Sequence, residues 1–242
     1  MTAEEARGRI ALALDLPLPE GEALWEKVSA HVGWVKVGLS LFVEHGSAAV
    51  RPFTERGAKV FLDLKLHDIP NTVRLAAARA GELGVGLLTV HAQGGGEMVR
   101  AAVEGAAEGA ARKGHAPPKI LAVTVLTSLD AEELWRVGYA DGVAEVAGKL
   151  GRYAAESGAH GLVCSPREAG PLRKGDATRG LFLCTPGIRP AGSVAGDQAR
   201  AETPEFAVKA GSDLLVVGRP IYGAADPEAA ARAIRDEVAA AG

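Results

Sequence analysis

Residues 61–72, reading FLDLKLHDIPNT, hold the densest group of side chains able to do chemistry. Asp63 and Lys65 are two apart, so on a β-strand they share one face while Leu62, Leu64 and Leu66 point the other way. An acid and a base aimed into a confined space must compensate each other, because an unpaired buried charge costs far more than a paired one. Lys36 can supply a second cation from a neighbouring strand, and Asp68 a second acid from the following loop. The set Lys36, Asp63, Lys65, Asp68 has two charges of each sign and could close an alternating network of zero net charge. Several charges converging on one rim suit acid–base work. A structural salt-bridge cluster would satisfy the same spacing.

These residues need a scaffold that brings strand ends together. Eight short apolar runs occur, at 9–15, 34–38, 59–65, 87–92, 119–126, 161–165, 181–185 and 214–218. Several are rich in Val, Ile and Leu, which suits strands buried on both faces. Between them lie stretches with helical spacing, among them 73–83, 98–112, 143–157, 204–210 and 227–240. Asp226-Pro227 and Thr203-Pro204 are helix starts, each with a capping residue followed by proline. Eight such units fill the length of a (β/α)8 TIM barrel, about 250 residues. A doubly wound open sheet is disfavoured, because no GxGxxG follows the first run. No linker or composition shift interrupts residues 1–242, so the expectation is a single barrel domain. Chemistry in a barrel collects where strands end, here at Asp15, Lys36, Asp63 with Lys65, His91, Thr127, Ser165, Gly187 and Gly218-Arg219. The Gly-rich segment 187–201 is long for a loop in a compact domain, and such loops are usually functional.

Composition narrows the function classes. The formal charge of -3 over 242 residues argues against a dedicated nucleic-acid binder, which needs a basic face. It leaves room for a small anion held by a few local cations. No apolar run is long enough to span a membrane, and the N-terminal segment lacks the features of a signal peptide. Cys164 and Cys184 cannot make a disulfide framework and read as buried small hydrophobes of a reducing compartment, with the cytoplasm as default. There is no CxxC or HxxxH zinc spacing. Residues 142–149 miss the P-loop spacing by one residue. Trp25, Trp34 and Trp135 read as packing anchors. His91 reads as an orienting residue, and His67 as facing away from the ligand.

The segments LDLKLHDIPNT, VHAQGG, AVTVLTS, TPGIRPAGSVAGDQ and VVGRP resemble the orotidine 5′-monophosphate decarboxylase family, in the same order and over nearly the whole chain. The Asp63-x-Lys65-x-x-Asp68 core marks a wider barrel superfamily, whereas the extension through Thr72 and the segment 187–198 are more specific. The resemblance implies decarboxylation of orotidine 5′-monophosphate to uridine 5′-monophosphate, the last step of de novo pyrimidine synthesis, with no metal and no organic cofactor. It implies that Lys65 protonates C6 of the pyrimidine as CO2 departs and that Asp63 sits beside the substrate carboxylate. Lys36 would orient the network and touch the ribose, and Asp15 would bind a ribose hydroxyl. Asp68 and Thr72, with Ile69 near them, would reach across a homodimer interface into the partner's site. Thr127 would contact the base. Gln198, Gly218 and Arg219 would grip the phosphate, with Arg189 on the loop that closes over it.

Two rivals share parts of the pattern. A magnesium-dependent sugar-phosphate decarboxylase or aldolase of the same superfamily would place a metal-binding acid near the second strand, where this chain has Lys36. A phosphate-ligand binding barrel without catalysis would not need all four network charges.

Overall fold

The computed structural model describes residues 1–190 and 202–242. Eight strands close a parallel barrel in sequence order, β8 pairing with β1. They are β1 Ile10–Leu14, β2 Trp34–Gly38, β3 Lys59–Leu66, β4 Leu87–His91, β5 Lys119–Val123, β6 Gly161–Val163, β7 Phe182–Thr185 and β8 Leu214–Val217. All eight expected runs are strands; those at 9–15, 161–165 and 214–218 stop short of Asp15, Ser165 and Gly218. Asp15, Ser165 and Gly218 therefore lie just past their strands, whereas Lys36, Asp63, Lys65 and His91 lie within theirs.

Pleating separates two cores. Ala11 and Ala13 of β1, Phe61 of β3, Leu121 and Val123 of β5, and Leu214 and Val216 of β8 pack inside the barrel. Their alternates, including Leu12, Val60, Leu62, Ile120, Ala122, Leu215 and Val217, pack outward under the helices. Residues buried on both faces explain why the strands read as continuous apolar runs.

The helices follow the capping chemistry. Asp226 accepts from the Ala229 amide at 3.0 Å and opens the helix Pro227–Ala241. Thr203 accepts from the Phe206 amide at 3.1 Å and opens Pro204–Lys209. Each cap satisfies an amide that has no partner within its helix. The helices Pro70–Glu82 and Gly96–Lys113 approach closely. A Cβ at Gly105 would overlap the Arg74 carbonyl oxygen, and one at Gly109 the Ala78 carbonyl oxygen. This contact fixes the helix that begins directly after residues 67–69.

Two of the three tryptophans anchor packing. Trp25 is buried and meets Phe53 edge-on, and the Trp34 indole donates to the Gly8 carbonyl at 3.1 Å. Trp135 is a correction: it is 70% exposed on the short helix Ala131–Arg136. Among the described residues no helix is long and apolar enough to cross a membrane.

Candidate active site

A cavity of about 380 Å³ opens at the C-terminal ends of the strands. Asp15, Lys36, Asp63 and Lys65 line it from β1 to β3, and Thr127 lines it from the segment after β5. Arg189, Gly218 and Arg219 line it from the segments after β7 and β8. Its floor is apolar, with Ala13, Phe61, Val123, Cys184 and Val216. Burial pushes the Cys184 thiol well up, so it stays protonated and acts as packing.

Asp63 is the centre of the charged wall. The Lys65 ammonium donates to its Oδ2 at 2.8 Å, and the Lys36 ammonium lies 3.6 Å from the same oxygen. Asp63 Oδ1 accepts from the buried Thr89 hydroxyl at 2.9 Å. Burial alone would raise the Asp63 carboxyl. The two lysines and the two hydrogen bonds outweigh it and hold the group below the usual carboxylate range. One carboxylate thus faces two ammonium groups, and the trio carries a net charge of +1.

The backbone around this trio departs from simple alternation. Leu62 pairs with Leu88 and Leu66 with Val90, so three residues of β3, Asp63 to Lys65, stand opposite the single residue Thr89. Such an irregularity re-aims side chains at the rim of a barrel. Lys65 takes φ 48°, the one non-glycine residue with positive φ among the described residues. The left-handed conformation costs about 1–2 kcal/mol for a residue with a Cβ. Asp63 and Lys65 do share the cavity wall, but a bulge and one strained residue put them there, rather than a regular pleat.

Across the cavity, Arg189 donates to the Ile188 carbonyl at 2.9 Å. Partial burial and the neighbouring Arg219 cation lower its pKa, the direction that like-charge repulsion gives. An anion between them would relieve that repulsion. Tyr222 lies beside the same pair, its phenol raised by burial and by Asp15. The amide of Arg189 donates to Glu202 and that of Glu202 to Gly187, at 2.9 and 3.1 Å. These bonds tie Glu202 to Gly187 and Arg189 of the cavity wall.

The model of the "Orotidine 5'-phosphate decarboxylase / HUMPS" family matches residues 8–234. The chain belongs to this family. The orotidine 5'-phosphate decarboxylase of Anaeromyxobacter dehalogenans is 52% identical over 227 residues, covering 93% of this chain and 96% of that relative. The enzyme of the same name from Moorella thermoacetica is 48% identical over 235 residues, covering 96% and 93%. The crystal structure of orotidine 5'-phosphate decarboxylase from Lactobacillus acidophilus superposes with a TM-score of 0.84 at 39% identity, covering 96% of this chain and 99% of that one.

The family resemblance named twelve site positions, and eight of them line the cavity. Asp68, Ile69 and Thr72 do not. All three are exposed, Ile69 at 67%, and Asp68 accepts from the Ile69 amide at 2.6 Å. Among the described residues Asp68 forms no ion pair, so the four-charge network does not close within one chain. This corrects the zero-sum expectation for a single chain: Asp68 is exposed and does not line the cavity beside the Lys36–Asp63–Lys65 trio. Gln198 lies outside the described residues.

Two other strand-end residues have different places. Ser165 is fully buried and caps the helix Pro166–Lys174, its amide donating to Glu168 at 2.9 Å. His91 stacks on His67 with ring centroids 5.4 Å apart, and its Nδ1 is buried with no hydrogen-bond partner among the described residues. Burial, His67 and Lys65 lower its pKa, which favours the neutral ring. The sequence reading missed Tyr222, Ser128, Pro186 and Thr89. Tyr222 was legible in principle, since it lies three residues after Arg219 on a helix and so shares its side.

Proposed function

We propose that this barrel decarboxylates orotidine 5′-monophosphate to uridine 5′-monophosphate, the last step of de novo pyrimidine synthesis, with Lys65 as the acid. Membership of the family carries the reaction. The buried Asp63 carboxylate shared by two ammonium groups on the cavity wall carries the assignment of roles.

When the bond from C6 to the carboxylate carbon breaks, its electron pair stays on C6 in a ring orbital with little delocalisation. A fixed ammonium group stabilises that pair and then supplies the proton that forms C6–H. Asp63 holds the Lys65 ammonium in place through the 2.8 Å hydrogen bond to its Oδ2. Asp63 also stands beside the substrate carboxylate, and their repulsion is relieved as CO2 leaves. Lys36 completes the trio and reaches the ribose, and Asp15 takes a ribose hydroxyl. Thr127 contacts the base. Arg219, Gly218, Arg189 and Gln198 hold the phosphate, the usual place for phosphate in barrels of this class. Binding energy from that remote group organises the reacting centre. Neither metal nor organic cofactor takes part.

The active form is a homodimer with shared sites in the cytoplasm, each subunit a single barrel over 1–242. Asp68, Ile69 and Thr72 complete the partner's cavity. Their exposure supports this, as does the exposure of Leu39, Val43 and Leu75 on the helices that follow β2 and β3. A two-fold interface uses the same patch on both subunits.

One mixing experiment tests both parts. Lys65→Ala and Asp68→Ala homodimers are each expected to lose turnover, with uridine monophosphate still bound by Lys65→Ala. Their heterodimers have one site with both residues intact and should regain partial activity. No regain after verified subunit exchange contradicts shared sites, and near-normal turnover by Lys65→Ala alone contradicts the proton-donor role.

A further inference from the structure

We infer that Thr89 is a positioning residue for the decarboxylation, its hydroxyl setting both the strained backbone of Lys65 and the orientation of Asp63. The inference rests on the roles proposed above for those two residues.

Thr89 stands at the middle of β4 and is fully buried. It is the single residue opposite the three-residue bulge of β3. A bulge interrupts the ladder and leaves amides without their usual carbonyl partner. The Lys65 amide donates instead to Thr89 Oγ1 at 2.9 Å. The same oxygen donates its one hydrogen to Asp63 Oδ1 at 2.9 Å. A hydroxyl has one donor and two lone pairs, so it can serve both groups at once. Valine at this position could serve neither.

Two geometric consequences follow. The hydrogen bond from Lys65 holds a left-handed residue at the point where its side chain turns into the cavity. The hydrogen bond to Asp63 occupies Oδ1 and leaves Oδ2 to both ammonium groups, at 2.8 and 3.6 Å. Thr89 does not line the cavity, so it acts through these partners rather than on the substrate. Asp63 is also faced by Lys36 from β2 and, at longer range, by His91 of β4 and the Cys184 thiol of β7. Neither His91 nor Cys184 provides a hydrogen bond that could replace the one from Thr89 among the described residues.

The test compares Thr89→Val, which keeps the branched shape and removes the hydroxyl, with Thr89→Ser, which keeps the hydroxyl. Misplacement of a catalytic group by a fraction of its own length lowers rates steeply, so Thr89→Val should lose about 10²-fold in kcat. Its affinity for uridine monophosphate should change by less than about threefold, because the phosphate and ribose contacts are untouched. The acid limb of its kcat/KM profile should move to higher pH, since Asp63 loses a hydrogen bond to its charged form. Thr89→Ser should restore kcat to within about threefold and return the acid limb. Thr89→Val with kcat within about twofold of the parent overturns the inference, as does a loss confined to KM. If Thr89→Val does not fold, a folded Thr89→Ser that loses more than about tenfold in kcat overturns it as well. Lys65→Ala is measured alongside. Normal turnover there overturns the proposed site together with this inference, whereas an inactive Lys65→Ala beside a normal Thr89→Val overturns the role of Thr89 alone.

Discussion

At the N-terminal end of the barrel, Arg173 donates to the carbonyls of Gly211, Arg179 and Leu181 and pairs with Asp213 at 2.6 Å. Asp213 also accepts from the Leu183 amide at 2.8 Å. Lys59 and Lys119 lie over the rings of Trp34 and Phe182, 5.6 and 5.1 Å from their centroids. Each of these charges is spent on joining neighbouring elements. At the mouth, one carboxylate faces two ammonium groups, the net charge is positive, and the group borders a cavity of about 380 Å³ on a strained backbone. Partly buried charge alone therefore does not mark a site. Excess charge of one sign, an open face and a costly backbone conformation together do.

Substitutions at the two ends sharpen this contrast. The largest effect is expected from Asp63→Ala, which leaves two ammonium groups facing each other without their shared partner. Loss of one preorganised charge from an active site lowers kcat by about 10²–10³-fold, measurable in a steady-state assay. The Asp63 carboxyl is held below its ordinary value in the folded chain. Its contribution to stability is therefore present above the ordinary carboxylate pKa and fades as pH falls through the lowered value. Next, Arg219→Ala removes a charged donor from the phosphate side. It should weaken uridine monophosphate binding by about 10–10²-fold by calorimetry, with a smaller change in kcat. The smallest effect on activity is expected from Arg173→Ala. It breaks hydrogen bonds at the closed end and should lower unfolding free energy by about 1–3 kcal/mol, with kcat/KM nearly unchanged. A collapse of activity in a folded Arg173→Ala would erase the distinction between the two ends.

Much of this arrangement was legible in the chain itself. The eight strands announced themselves because both faces are buried, so their apolar runs needed no partner to be recognised. The caps at Asp226 and Thr203 are local and read directly. The cavity residues could be found because polar side chains stood at the ends of apolar runs. The bulge opposite Thr89 could not be found, because it depends on how β3 registers against β4, some twenty residues away. Alternation alone put Asp63 and Lys65 on one face, reaching the right wall by the wrong backbone. Asp68 read as a fourth member of a single chain's network because sequence spacing cannot tell whether a loop residue lines its own chain's cavity. Trp135 misled for a related reason: a large apolar side chain does not reveal whether its helix has anything to cover it.

Decarboxylation of orotidine monophosphate at this mouth is proposed to run on its own lysines, without a metal. The most direct measurement follows the ultraviolet change on adding orotidine monophosphate to the purified chain in the presence of EDTA. Full conversion to uridine monophosphate is expected, at the rate seen without chelator. No consumption of the substrate, or activity that is lost with EDTA and restored by Mg²⁺, would contradict it.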